Sequence, residues 1–196
     1  RPVPANLFLK RLHPAAGGQG GDAIAGPLRH LQGLHPYSCE GFSSYLSGAM
    51  AEQPFLHQAE DTGIPNSLCS YHKVFIGAAQ MGLMPKPRFI LSTSLACDAN
   101  TLTFRHLAQF YDVPHFNVDI PFESSPQAVD YVAGQLRQMG EFLTQQTGLP
   151  LDDGQLARTV ARSQRTMALY HRGLRLRAGR QVLSDLTSEL LRTAAF

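Results

Sequence analysis

The sequence predicts an α/β protein: a parallel sheet with flanking helices, followed by a helical C-terminal segment. Three observations carry that expectation. The apolar run RFILSTS (residues 88–94) has the length and character of a buried strand. The helix-like stretch TLTFRHLAQFY (101–111) separates it from a second strand-like run, HFNVDIP (115–121). Beyond residue 125 the periodic segments are all helical in spacing.

The elements follow in order. HPAAGGQGGDAIAGP (13–27) is rich in Gly, Ala and Pro and reads as a loop. Its glycines make no P-loop, because no GK[ST] follows. Residues 41–62 look helical, interrupted near Pro54. TGIPNS (62–67) is a turn carrying Gly63 and Pro65. LCSYHKVFIGAAQMGL (68–83) places Tyr71, Val74, Phe75, Ala78, Ala79 and Met81 at helical spacing, and Pro85 and Pro87 close it. After strand 88–94, Asp98 or Asn100 can cap a helix that runs to about Asp112 and stops before Pro114. Strand, helix, strand is a βαβ unit, whose crossover implies parallel strands. Ser125 and Pro126 begin the next helix as cap and first residue. Its stripe is Val129, Val132, Leu136, Met139 and Leu143, and Gly148 and Pro150 end it. Residues 152–177 form another helix, with an apolar stripe and an arginine face that suits solvent or a subunit contact. A last helix is expected over 180–194. The chain thus divides into a loop-rich segment (1–30), an α/β domain (31–121) and a helical extension (122–196).

Composition narrows the function classes. The chain has 43% apolar and 16% charged residues, which fits a soluble globular protein. A net charge of +2 gives no electrostatic case for nucleic acid. No apolar run approaches the roughly 20 residues that cross a bilayer. The opening RPVPANLFLKRLHPAAGG lacks the pattern of a signal peptide, and no methionine begins it. Three widely spaced cysteines, Cys39, Cys69 and Cys97, cannot all pair within one chain; they argue for a reducing, cytoplasmic compartment. The histidines form no HxxxH or HExxH pair, so a zinc-hydrolase site has no local support.

Two of the cysteines stand where chemistry is expected. Cys97 lies just past the carboxyl end of strand 88–94, and open α/β sheets bind ligands beyond such ends. Cys69 lies at the start of one predicted helix and Cys97 just before another, and the N–H groups of helix N-termini favour thiolate over thiol. Thiolates are the ligands of iron–sulfur clusters. Ordinary buried cysteines are the alternative, since free cysteine is among the most buried residue types.

LCSYHKVFIGA (68–78), followed by PKPRFILSTSLACDANTLTFRHLAQFYDVPHFNVDIP (85–121), resembles the 2-hydroxyacyl-CoA dehydratase and benzoyl-CoA reductase family. The resemblance rests on Cys69-Ser70-Tyr71 at a helix start and Cys97-Asp98 at a strand end. It also rests on Val113-Pro114-His115-Phe116 and on Asp119-Ile120-Pro121. PYSCEGFSS (36–44) resembles the family's Y-x-P-E segment, with Cys39 in place of proline. The match covers roughly residues 35–145.

The resemblance implies a Rossmann-like parallel α/β domain and a [4Fe–4S] cluster held by three cysteines, one iron remaining open. It implies Cys69 and Cys97 as ligands, with Cys39 as the alternative third. The family's third cysteine comes from a C-terminal domain, and no cysteine follows Cys97 here. The chain is therefore expected to be the N-terminal portion, or a shortened member, of a cluster-bearing subunit. The implied partners are an acyl-CoA substrate, a homologous partner subunit and an ATP-dependent, electron-donating activator. The implied reaction is anaerobic: one electron converts a 2-hydroxyacyl-CoA to a ketyl radical, which loses water. One-electron reduction of the thioester is what acidifies an otherwise unreactive β-proton, and a carboxylate must then move protons. Glu40 matches the family's glutamate and is the expected acid–base residue; a helix-start carboxylate is its structural alternative. Reduction of an aromatic ring, as in the reductase branch, and a non-catalytic scaffold without an intact cluster are the competing functions.

Overall fold

A computed structural model describes residues 7–11, 34–95 and 97–177. In chain order the elements are strands β1 (Leu7–Arg11) and β2 (Leu34–Ser38), then helices α1 (Cys39–Gly48), α2 (Gln53–Asp61) and α3 (Ser70–Gln80). Strand β3 (Phe89–Thr93), helix α4 (Asp98–Tyr111) and strand β4 (His115–Val118) follow. Two long helices, α5 (Pro126–Thr147) and α6 (Asp153–Arg177), complete the described chain.

The α/β class with flanking helices is borne out; among the described residues one strand pair is parallel and the sheet as a whole is mixed. β3 and β4 run parallel, with Ile90 opposite His115 and Thr93 opposite Val118. The sheet order is β2-β1-β3-β4, and β1 pairs antiparallel with both β2 and β3. Leu7–Arg11 thus forms a strand inside the segment read as loop-rich. The rest of residues 1–30 and the helix expected over 180–194 lie outside the described residues.

All five residues of β3 are buried, as expected for a strand covered on both faces. Its alternation assigns the layers. Ile90 joins a core with Phe75, Ile76, Phe104 and Leu107 from α3 and α4. Phe89 points the other way and meets Phe142 of α5 edge-on, with ring centroids 5.5 Å apart; Phe116 of β4 meets the same ring at 5.5 Å. Phe75 stacks on Phe104 at 5.5 Å and 20° between planes, which locks α3 against α4. Both rings are fully buried, and losing either would cost about 3–5 kcal/mol.

Helix boundaries have local causes. Residues 41–62 form two helices, because Pro54 sits in the first turn of α2, where its missing N–H costs nothing. α4 ends at Asp112, which adopts a left-handed conformation (φ 51°, ψ 62°). The Val113 N–H closes that end on the Ala108 carbonyl at 3.0 Å. α5 begins as expected: the Ser125 hydroxyl accepts the Ala128 N–H at 3.1 Å, with Pro126 next. Gly148 ends α5 at φ 74°. α2 and α3 approach so closely that Gly77 faces the backbone of Phe55 directly. α6 buries only Thr159 and exposes Val160, Leu169 and Leu176. Among the described residues no helix is long and apolar enough to cross a membrane.

Candidate functional site

Cys97 occupies the N-cap position of α4, with an extended backbone (φ −162°, ψ 156°). Neither Asp98 nor Asn100 is the cap, because the helix begins at Asp98 itself. Cys69 holds the same position at α3 (φ −48°, ψ 128°). Neither thiol is spent on capping. Both cysteines are free and exposed. The backbone does the capping work: the Cys69 carbonyl accepts from the His72 N–H at 3.0 Å and the Lys73 N–H at 3.2 Å, and the Cys97 carbonyl accepts from the Asn100 N–H at 3.1 Å.

A side chain of α3 reaches the second sulfur. His72 Nε2 lies 3.7 Å from Cys97 Sγ. His72 is three residues after Cys69, hence on the same helix face one turn on. The two helix starts are therefore neighbours, and His72 is the side chain between them. Its ring packs on Phe75 at 5.3 Å between centroids and is 4% exposed. Burial lowers its pKa and favours the neutral imidazole. One turn into α4, Asn100 is fully buried, and among the described residues neither its side-chain polar atoms nor Thr103 Oγ1 has a partner. Sequence reasoning does not find His72: its spacing from Cys69 gives the helix face, but its approach to Cys97 is set by packing.

The loop that carries Cys97 is tied down. The Ser94 hydroxyl donates to Asp119 Oδ1 at 2.8 Å and accepts the Ile120 N–H at 2.8 Å. The Ser94 N–H donates to the Val118 carbonyl at 3.1 Å. Gln135 of α5 grips the Asp119 backbone on both sides: Oε1 accepts its N–H at 2.8 Å and Nε2 donates to its carbonyl at 2.7 Å. Tyr131 adds a bond to Asp119 Oδ2 at 3.2 Å. On the α4 side of the sheet, buried Ser92 donates to Asn117 Oδ1 at 2.7 Å and so accepts from His115 Nε2 at 2.8 Å. Burial first, and Arg105 second, lower the His115 pKa.

Cys39 and Glu40 open α1. Cys39 is fully buried in the apolar core, apart in environment from the two exposed cysteines. Burial, helped by the negative charge of Glu40, pushes its thiol well above the ordinary range. Such a site holds a neutral thiol. Glu40 is half-buried in the first turn. Its carbonyl accepts from the Ser44 hydroxyl at 3.0 Å. Ser44 Oγ also bonds the Tyr71 hydroxyl at 2.6 Å, and Ser43 Oγ donates to the Tyr71 carbonyl at 2.8 Å. The middle of α1 is thereby pinned to the first turn of α3, at Tyr71, two residues from Cys69. Among the described residues no three His, Cys, Asp or Glu side chains gather as a metal-holding group.

Comparison with known proteins meets this geometry. A family model described as "2-hydroxyglutaryl-CoA dehydratase, D-component" matches residues 29–194. Among curated proteins, the chain is similar to the (R)-phenyllactyl-CoA dehydratase alpha subunit of Clostridium sporogenes. Identity is 25% over 121 residues, covering 57% of this chain and 30% of that protein. The matched part therefore spans under a third of that relative's length.

Proposed function

Because the chain belongs to the 2-hydroxyglutaryl-CoA dehydratase D-component family, we propose that it is part of an iron–sulfur subunit of a 2-hydroxyacyl-CoA dehydratase-type lyase. The reaction would remove water from a 2-hydroxyacyl-CoA by way of a substrate radical. One observation carries this reading: two exposed thiols stand at two adjoining helix starts, one of them just past the carboxyl end of a parallel strand. That is where an open α/β sheet binds its ligand.

The donor chemistry suits a [4Fe–4S] cluster. Cys69 and Cys97 would hold it, because helix N-termini favour thiolate. Cys39 has no part in this reading, since its core position favours the neutral thiol. The sequence contains no fourth cysteine, so a further thiolate would come from another chain or from sequence beyond these 196 residues. When bound, such a cluster supplies one-electron transfer and a Lewis-acidic iron. The chain's own residues do the remaining work. The Ser94–Asp119–Gln135 network orients the Cys97 loop, Tyr71 fixes α1 against α3, and Glu40 moves the proton. The acyl-CoA substrate, a homologous partner subunit and an ATP-dependent activator belong to the same proposal; the dehydratase alpha subunit among its relatives supports the partner.

A non-catalytic scaffold is the second reading. It is favoured by the absence of a complete ligand group among the described residues. Anaerobic purification of the chain with its partner subunit, followed by iron and sulfide analysis, separates the two. The enzyme reading expects about four irons per site, lost in Cys69→Ala and in Cys97→Ala and retained in Cys39→Ala. An assembled complex without iron or sulfide would leave the scaffold.

A further inference from the structure

His72 stands in a position that the cluster reading leaves unexplained. Its Nε2 lies 3.7 Å from Cys97 Sγ, within reach of an N–H···S bond. Which nitrogen carries the proton follows from the surroundings of the other. Nδ1 is buried and has no partner among the described residues. A proton on Nδ1 would leave a buried donor unpaired, at a cost of about 1–3 kcal/mol. A proton on Nε2 leaves only a lone pair unmatched and aims the donor at sulfur. Buried donors are the groups that folded proteins least often leave unmade.

Asn100 shares the buried side of this contact. Two contacts set α4 alongside α3: Cys97 against His72, and Phe104 stacked on Phe75. Asn100 lies between Cys97 and Phe104 and so faces the same stretch of α3 as the His72 ring. Its amide is fully buried and has no partner among the described residues. It forms no direct bond to Nδ1 and offers both a donor and an acceptor, so it leaves the choice of tautomer to the sulfur contact.

We propose that His72 is a positioning residue that donates Nε2–H to the Cys97 sulfur, orienting that sulfur and withdrawing charge from it when it ligates a cluster. The proposal rests on the cluster reading. Hydrogen bonds to ligating sulfur are among the determinants of cluster reduction potential. An N–H donor stabilises the more negative, reduced state, so His72 should make the cluster easier to reduce.

The two halves have separate tests. Long-range 1H–15N correlation spectra of the full chain read the His72 tautomer without iron. The Nε2–H tautomer is expected, with an Nε2 resonance that moves in Cys97→Ala. An Nδ1–H tautomer, or no response to Cys97→Ala, overturns the proposal. In the iron-loaded complex, His72→Phe keeps the ring packing on Phe75 and removes the donor. It should lower the midpoint potential and shift the electron paramagnetic resonance spectrum. His72→Gln, which restores an N–H near the Nε2 position, should recover most of both changes. An unchanged potential in His72→Phe overturns the redox half. A complex that binds no iron, yet keeps the tautomer and its dependence on Cys97, overturns the cluster reading and upholds the N–H···S bond.

Discussion

Gly77 is where α3 meets α2, and α3 carries Cys69 and His72. In Gly77→Ala, the new Cβ would overlap the Phe55 carbonyl oxygen and lie 2.7 Å from the carbonyl carbon and 3.0 Å from Cα. All three obstacles are backbone, so no rotamer change relieves them. Overpacking of this kind costs about 3 kcal/mol, the upper end of its usual range, because a helix must move rather than a side chain. Alanine's better helix propensity returns about 1 kcal/mol. The net loss is about 2 kcal/mol, or a fall of about 4–8 °C in melting temperature for a chain of this size. Gly134→Ala is the control: it sits inside α5 with nothing within 4 Å of the added Cβ. That variant should gain about 0.5–1 kcal/mol. Urea and thermal unfolding of the three proteins, followed by circular dichroism, give the comparison. A Gly77→Ala protein as stable as the parent would refute the close approach of the two helices. So would two alanine variants with the same shift.

Three further outcomes are expected. Ser125→Ala removes the hydroxyl that caps α5 and should lower stability by about 1 kcal/mol; an unchanged urea midpoint would contradict the cap. The His115 pKa is lowered by burial and by Arg105 from its ordinary 6.5, so the unfolded chain takes up that proton more readily. Stability should be held above pH 6.5 and fall as pH drops through it; His115→Gln should flatten that slope in urea midpoints measured across the same window, and an unflattened slope would assign it to other groups. If the proposed cluster enzyme is right, Glu40→Gln in the assembled complex should keep the visible absorption of a bound cluster and lose turnover by roughly 100-fold. Near-normal turnover excludes the proton-transfer role, and loss of the absorption makes Glu40 structural.

What the sequence discloses here depends on how local the cause is. Ser125-Pro126 marks a helix start because cap and first residue are adjacent, and the structure places both there. The β3–α4–β4 unit is legible because one short segment contains strand, crossover and strand. β1 is not, because its partners lie far along the chain and pairing decides its state. The same distinction separates the cysteines. Positions 69 and 97 are helix starts by neighbouring residues alone, and both are found there. Cys39 also opens a helix, but its burial comes from α2, α3 and α4, which no window around residue 39 contains. His72 required knowing that α3 and α4 lie side by side, a fact of packing.

The strand order also carries an instruction about time. Pairing β3 with β4 joins Ile90 to His115, whereas pairing β1 with β3 joins Phe8 to Ile90 across a span more than three times longer. Closing the longer loop costs about 1 kcal/mol more in chain entropy. The unit that presents Cys97 can therefore assemble first, and β1 arrives on an edge already formed. In pulse-labelled hydrogen exchange, amides of residues 90–93 that bond toward β4 should gain protection before those of residues 7–9; simultaneous protection would mean that the sheet closes as one cooperative step.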